Sequence, residues 1–447
     1  MTYSKFLKAI GIVPVLILGV AVAQAQTASV NSSPEMNANT EVTTQADANA
    51  DDCTSDLKKE KYKLKTTFRF QNLLVTDYTL NGEEGFNPEE ISGNMSVRRA
   101  RIKIEGVPAD NFKYKMEIGL SNRDHGSIVP QTNKTARMIL DAYVTYTLPK
   151  AKSFSIRVGQ MKLAGNRERV ISSQRLQFVD RSLVNSKFNI DRDIAIQLNH
   201  KYTFGGGALL KSSFSLAQGE GRNITTGNEG GYEYTGRVEW LPFGKFNEVS
   251  SVGGKRAIVA GSGDYISADF VGEKCPKLSI GLTYDQNNNA VRANGNLKSY
   301  TGTFQTLQTV FVDMMLKYNG LSVMAEYANK QAAETSIVST DTLGNPTSFY
   351  YTGNGISIQA GYVFKRNGND LGKGLSEVSF RFTNIQPSKE NMIDDIGMYT
   401  LGYSRYVDKH NIKVQTDISL TQTGSKDPVL MYRLQLEMAI GGFKLKR

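Results

Sequence analysis

From Lys61 onward, apolar and polar positions alternate along the chain with a period of two. Tyr62, Leu64, Phe68 and Phe70 fall on one face, with Lys61, Lys63, Lys65, Arg69 and Gln71 on the other. Ala100, Ile102 and Ile104 oppose Arg99, Arg101, Lys103 and Glu105, and Phe112, Tyr114, Met116 and Ile118 oppose Lys113, Lys115 and Glu117. Met138, Leu140, Ala142, Val144 and Tyr146 share the apolar face of the next segment. Near the C-terminus, Leu430, Tyr432, Leu434, Leu436, Met438 and Ile440 alternate with Arg433, Gln435 and Glu437. A helix would place apolar residues at i, i+3 and i+4, whereas successive side chains of a strand point to opposite faces. Sixteen such segments start near residues 61, 95, 112, 137, 153, 191, 208, 232, 277, 307, 321, 354, 375, 395, 411 and 429.

Many of the segments run about ten residues, the length of a strand that crosses a bilayer at a tilt. Their connections alternate in length. Short turns sit at 107–111, 149–152, 205–207, 319–320 and 408–411, and longer links at 164–190, 288–306 and 332–353. Short turns at one rim and long loops at the other are the mark of an outer-membrane barrel. The pattern therefore predicts an all-β chain, a 16-stranded antiparallel transmembrane β-barrel with apolar side chains toward lipid and polar ones toward a water-filled lumen. The link 242–276 breaks the alternation: it is either a long connection at the short-turn end or hides a further strand. A soluble β-sandwich or β-helix shares the period but turns its apolar face inward.

The N-terminus favours the membrane reading. Lys5 and Lys8 precede the apolar run Ala9–Val22, and Ala23-Gln24-Ala25 follows as a small-x-small site. This predicts a secretory signal peptide over residues 1–25, cut after Ala25. Residues 26–57 are rich in Thr, Asn, Ser, Ala and Gln; up to residue 56 they carry six acids and no Lys or Arg. Such a segment buries too little apolar surface to fold alone, and a disordered or loosely coiled periplasmic leader is expected. Residues 58–447 then form the barrel domain. Cys53 and Cys275, the only cysteines, either form one disulfide or remain two thiols.

The chemistry available is narrow. Three histidines and two cysteines leave little material for a metal centre. No Gly-x4-Gly-Lys-Ser/Thr loop is present. Neither catalytic residues, nor a cofactor, nor nucleic-acid binding is expected. A lipase or protease barrel would need a nucleophile beside a positioned base. His125, His200 and His410 have no nucleophile in their predicted neighbourhoods.

Charge gives the positive lead. The chain carries 53 Lys+Arg against 43 Asp+Glu; without Lys5 and Lys8 of the signal, 51 face 43, a net of +8. After Lys61, Lys63, Lys65 and Arg69 of the first segment, basic residues crowd onto the polar face of the next four, Arg99, Arg101, Lys103, Lys113, Lys115, Arg137 and Arg157, against only Glu105, Glu117 and Asp141 over all five. Lys162 ends the fifth segment, and Arg167, Arg169, Arg175 and Arg181 follow in the link 164–190. The twelve from Arg99 to Arg181 are the candidate pore-lining, anion-binding residues. Arg offers two-pronged contacts to carboxylate or phosphate oxygens, and Lys acts as a point charge. If 164–190 folds into the lumen it forms a positive constriction. The alternatives are a solvated outer loop, or a surface for lipopolysaccharide phosphates.

Five stretches occur in an order and spacing that resembles the phosphate-selective porin O and P family: Val97-Arg98-Arg99-Ala100-Arg101-Ile102, Val158-Gly159-Gln160-Met161-Lys162, Asp180-Arg181-Ser182-Leu183-Val184, Arg192-Asp193 and Tyr234-Thr235-Gly236-Arg237-Val238. The similarity runs from about Lys61 to the end and is densest over 95–240. The leader, with Lys277-Leu278-Ser279-Ile280-Gly281 and Tyr284-Asp285, looks like Bacteroidetes-type versions. The resemblance implies a 16-stranded barrel in the bacterial outer membrane, usually a homotrimer. It also implies a third loop that narrows a basic pore, and passive diffusion of small, phosphate-like anions. A general non-selective porin and an outer-membrane adhesin or structural barrel remain the alternatives.

Overall fold

A computed structural model describes residues 63–80, 91–121, 124, 138–224, 231–252, 255–294, 300–344, 346–364 and 372–444. The signal and leader segments, Cys53, His125 and Arg137 lie outside the described residues. The first half of the wall comprises β1 (Lys63–Thr79), β2 (Ser92–Ala109), β3 (Phe112–Gly119), β4 (Ile139–Thr147), β5 (Phe154–Lys162), β6 (Arg192–Thr203), β7 (Leu209–Ala217) and β8 (Glu233–Leu241). A hairpin of β9 (Asn247–Val252) and β10 (Lys255–Ala260) follows, then β11 (Lys277–Arg292), β12 (Tyr300–Tyr318) and β13 (Leu321–Ala332). A second hairpin, β14 (Ile337–Thr340) with β15 (Pro346–Phe349), precedes β16 (Gly353–Phe364), β17 (Lys373–Pro387), β18 (Ile396–Asp408), β19 (Ile412–Thr423) and β20 (Val429–Lys444).

Sixteen of these strands form one closed antiparallel ring, and the two hairpins pair only within themselves. The ring closes where β1 meets β20, with Phe70 opposite Met438. Closure leaves no edge strand, so within the paired stretches the wall amides find partners without water, as a bilayer demands. All sixteen predicted segments are wall strands. The link 242–276 is a long connection at the short-turn rim, since its β9 and β10 stay out of the ring. Among the described residues no helix is long and apolar enough to cross a membrane. At the 319–320 turn, Asn319 and Gly320 both adopt positive φ, 50° and 89°. Asn-Gly suits a two-residue hairpin whose twist matches its strands.

The period of two holds in space. Phe68 and Phe70 are 44% and 46% exposed, whereas Arg69 and Gln71 between and beside them are 8% and 0% exposed. Exposed Val158, Ile196, Leu282 and Leu401 continue the apolar band. Exposed aromatics stand at its borders, Phe112, Tyr202, Phe204, Trp240, Phe243, Tyr318, Tyr362 and Phe364 near the short turns and Tyr232, Tyr234, Phe304 and Tyr399 near the long loops, while others, Phe214 and Phe380 among them, lie within the band. Those at the borders suit the aromatic girdles that flank the apolar band of an outer-membrane barrel.

Strict alternation fails at several register shifts, two of which displace residues on the basic side of the ring. Gln71 pairs with Arg99 but Asn72 pairs with Val97, so Arg98 is an extra residue in β2. A bulge puts two neighbouring residues against one, and here Arg98 and Arg99 are both buried. In β4, Glu117 faces Asp141 while Ile118 faces Ile139, which leaves Leu140 as the extra residue. Leu140 is fully buried, a correction to the alternation that groups it with exposed Val144.

Replacing Leu401 by Arg puts a charge in the apolar belt and should lower stability in lipid by about 2–4 kcal/mol, as for basic residues near a bilayer midplane. Urea titration of the protein folded in lipid vesicles measures this; an unchanged midpoint would contradict a lipid-facing Leu401.

Candidate functional site

The link between β5 and β6, residues 163–191, folds into the ring. It has little regular structure: α1 (Arg167–Val170), a 3-10 turn at Ser173–Arg175 and α2 (Leu183–Phe188). Its remaining backbone groups need partners once buried, and inward-facing wall side chains supply them. Asp313 accepts from the Arg167 amide at 3.1 Å, and Glu326 from the Glu168 amide at 2.6 Å. The Asp417 carboxylate accepts from the Val179 amide at 3.2 Å. Lys413 donates to the Gln174 carbonyl at 2.8 Å, and Arg381 to the Asp180 carbonyl at 3.0 Å. These partners come from β12, β13, β17 and β19, so the loop docks on the wall opposite the strands it leaves. An apolar contact completes the docking: Leu163, Val184, Phe188 and Ile190 pack on Phe311, Ala328 and Ile385.

The 242–276 link enters from the other rim. Lys317 donates to the Gly263 carbonyl at 3.3 Å, and the Gly320 amide donates to Asp269 at 2.8 Å. Ile266, Ala268 and Phe270 pack on Val363, Leu375 and Tyr406. Arg256 pairs with Asp408 at 2.5 Å, and Lys409 donates to the Val249 carbonyl. Loop and insert meet inside the ring. The Arg167 guanidinium donates to the Asp264 carbonyl at 2.5 Å, and the Ser267 amide to the Arg175 carbonyl at 3.2 Å. His410 lies in this region, buried near Phe270 and Tyr406. Burial, then Lys413 and Arg175, hold its imidazole well below the usual range, and its ring packs beside those of Phe270 and Tyr406.

Loop and insert leave a cavity of about 280 Å³ against β1–β8. Ten basic residues line it: Arg69, Arg101, Lys103, Lys115, Arg157, Lys162, Arg175, Lys201, Lys211 and Arg237, against the four acids Glu105, Glu117, Asp141 and Glu239. Two of the acids are each shared between cations. Glu117 lies 3.0 Å from Arg101 and 3.1 Å from Lys115, and Asp141 lies 2.7 Å from Lys115 and 2.5 Å from Arg192. Arg157 lies 4.6 Å over the Tyr143 ring and donates to Thr145 at 3.1 Å. The lining's surplus is therefore cationic, in a confined space where low-dielectric walls focus the field, although Arg69, Arg101, Lys211 and Arg237 also pair with Glu437, Asp124, Asp264 and Asp313 outside the lining.

Of the twelve candidate residues, Arg101, Lys103, Lys115, Arg157, Lys162 and Arg175 line the cavity. Arg99 sits behind it, donating to Gln71 at 2.6 Å and lying 3.6 Å from Asp180. Arg167 is sealed between Glu239, Ser279 and the Asp264 carbonyl. Arg169 pairs with Asp191, and Arg181 donates to the Glu168 and Ile171 carbonyls of its own loop at 2.7 and 2.8 Å. Burial brings the Arg181 guanidinium down to about 10, which still leaves it charged at neutral pH. Lys113 is half-buried on β3 and does not line the cavity. Arg98, Lys211 and Arg237 were outside the candidate set. The Arg98-Arg99 doublet, which breaks the alternation, is the only sequence sign of the first.

Asp180 fastens the loop to the ring's closing seam. Arg98 donates to both of its oxygens at 2.5 Å, and Arg433 lies 3.8 Å away. Burial alone would raise this carboxyl, but Arg98, Arg99 and Arg433 outweigh it and hold Asp180 at about 2.

The sequence profile described as Phosphate-selective porin O and P matches residues 65–423. Among solved structures, OprB of Pseudomonas putida is similar at 10% identity with a TM-score of 0.50, over 85% of this chain and 94% of that one. An anion-selective porin from Comamonas acidovorans is similar at 10% identity and a TM-score of 0.46, over 85% and 100%. Curated protein sequences give no match.

Replacing Phe188 by Ala removes the largest loop side chain in the docking cluster and should cost about 3–5 kcal/mol. The loop should then become accessible to trypsin at Arg175 and Arg181 in detergent. Resistance equal to that of the unaltered protein would show that this contact does not hold the loop.

Proposed function

Because the chain belongs to the phosphate-selective porin O and P family, and so is an outer-membrane channel rather than an enzyme, we propose that it passes small anions passively, phosphate or similar oxyanions among them. The observation that carries this reading is the ten-to-four excess of basic over acidic residues around the cavity. An anion entering a narrow passage gives up part of its hydration, and fixed guanidinium and ammonium donors replace it. Arg101, Lys115, Arg157 and Lys162 on the wall and Arg175 in the loop supply those donors. Arg99, Arg167, Arg169 and Arg181 have a different part in this reading: they hold the constriction in shape.

The remaining features fit an exported channel. Residues 1–25 serve as the signal, and the intact mass of the mature protein should match a chain beginning at Gln26. Residues 26–57 form a periplasmic leader. Assembly as a homotrimer, and contact between surface Lys and Arg and lipopolysaccharide phosphates, belong to the same proposal.

Single-channel recording in a planar bilayer tests selectivity. In a salt gradient the reversal potential should indicate anion preference, and phosphate should block chloride current more strongly than sulfate does. Arg101→Gln and Arg157→Gln should each move the reversal potential toward zero. Equal permeability of both ions in the unaltered protein would defeat the selectivity and leave a general porin.

A further inference from the structure

The proposal above leaves one segment unused, the insert at the short-turn rim. Short connections are the rule at that rim, yet this one crosses from β8 to the β18–β19 turn and returns to β11. Its inner stretch is buried: Asp264, Ile266, Ser267, Ala268 and Asp269 are each at most 4% exposed. A mere floor would need only apolar packing, which Ile266, Ala268 and Phe270 provide. Asp264 and Tyr265 do something else.

Tyr265 is the insert's contribution to the cavity lining. Lys211, on the facing wall, lies 4.4 Å over the Tyr265 ring. Its ammonium also reaches Asp264 at 2.6 Å. The Tyr265 hydroxyl donates to Glu239 at 3.2 Å, and Glu239 also lies 3.2 Å from Arg167 and 3.4 Å from Arg237. Arg237 in turn pairs with Asp313 at 2.6 Å. Here three cations, Lys211, Arg167 and Arg237, face three carboxylates, Asp264, Glu239 and Asp313. The neighbourhood is charge-balanced, unlike the cationic wall of β2–β5. Asp264 is not free to drift from this arrangement, because its other oxygen accepts from the Phe246 amide at 2.8 Å.

We propose that the insert is a second constriction that ends the cationic path, and that Asp264 determines specificity there by neutralising Lys211 where an anion must leave. A conducting site has to bind well enough to admit an ion and weakly enough to release it. A path that stayed cationic to its end would hold a multivalent anion. The insert supplies the carboxylate that flattens the potential, and Tyr265 narrows the opening beside it. The inference rests on anion passage as proposed above.

The test is single-channel recording of the full-length protein with Asp264→Asn, Lys211→Gln and the double variant, using chloride as the carrier and inorganic phosphate as the blocker. Asp264→Asn leaves Lys211 uncompensated while keeping an oxygen for the Phe246 amide. It should raise anion preference and strengthen phosphate block. Lys211→Gln should do the opposite on both readouts, and the double variant should return both toward the unaltered values. Unchanged preference and block in both single variants would overturn the proposal, as would a shift of both in the same direction. If Asp264→Asn does not fold, Asp264→Ser takes its place with the same expected signs. Absence of anion preference in the unaltered protein would instead defeat the parent reading.

Discussion

The structure depends on what a closed sheet does to backbone hydrogen bonding. A ring of sixteen strands satisfies its own amides and carbonyls, and it encloses a lumen wider than wall side chains can fill. Any chain that enters this lumen brings amides of its own with no sheet edge to receive them. The 163–191 loop answers with wall carboxylates and amines as partners: Asp313, Glu326, Asp417 and Lys413 all bond to its backbone. The same requirement explains why buried charge is so abundant here. Buried polar groups are tolerable when their bonds are made.

This division of labour splits the lumen. In the wall from β12 to β19, Asp313, Glu326, Arg381, Lys413 and Asp417 hold the loop and Lys317 holds the insert. The wall from β1 to β8 supplies the strand residues that line the cavity, although Arg98, Lys211, Arg237 and Glu239 within it also bond to loop or insert. Arg381, on the first of these walls, stacks 4.4 Å over Phe178 and serves packing. Arg157, on the second, stacks 4.6 Å over Tyr143 with its face on the cavity. The same residue type thus has different roles according to which half of the ring carries it.

Much of this was legible in the sequence. The period of two gave the strands, because burial on one face only writes itself into alternate positions. Arg101, Lys103, Lys115 and Arg157 were legible as cavity residues for that reason. Arg99 was not, since the bulge at Arg98 shifts both side chains toward Asp180, and a bulge leaves no trace in hydrophobicity beyond a doubled polar residue. Arg167, Arg169 and Arg181 were placed in the right loop but with the wrong exposure, because an irregular segment has no period from which to read a facing direction. A subtler sign was present in the polar face of β12, which carries Phe311 and Met315. Apolar residues on a lumen face mark where something packs, and both are buried under loop or insert.

The seam at Asp180 has a consequence for how the molecule assembles. The carboxylate joins Arg98 of β2 to Arg433 of β20, while Arg69 of β1 reaches Glu437 at 2.5 Å across the closure. The loop's anchors therefore come from both extremities of the barrel domain, and Val179 finds its acceptor 238 residues downstream. Because Arg98 and Arg433 stand on either side of the closing seam, Asp180 has its full set of partners only where β1 has met β20, so the constriction's order is tied to the shutting of the cylinder around it.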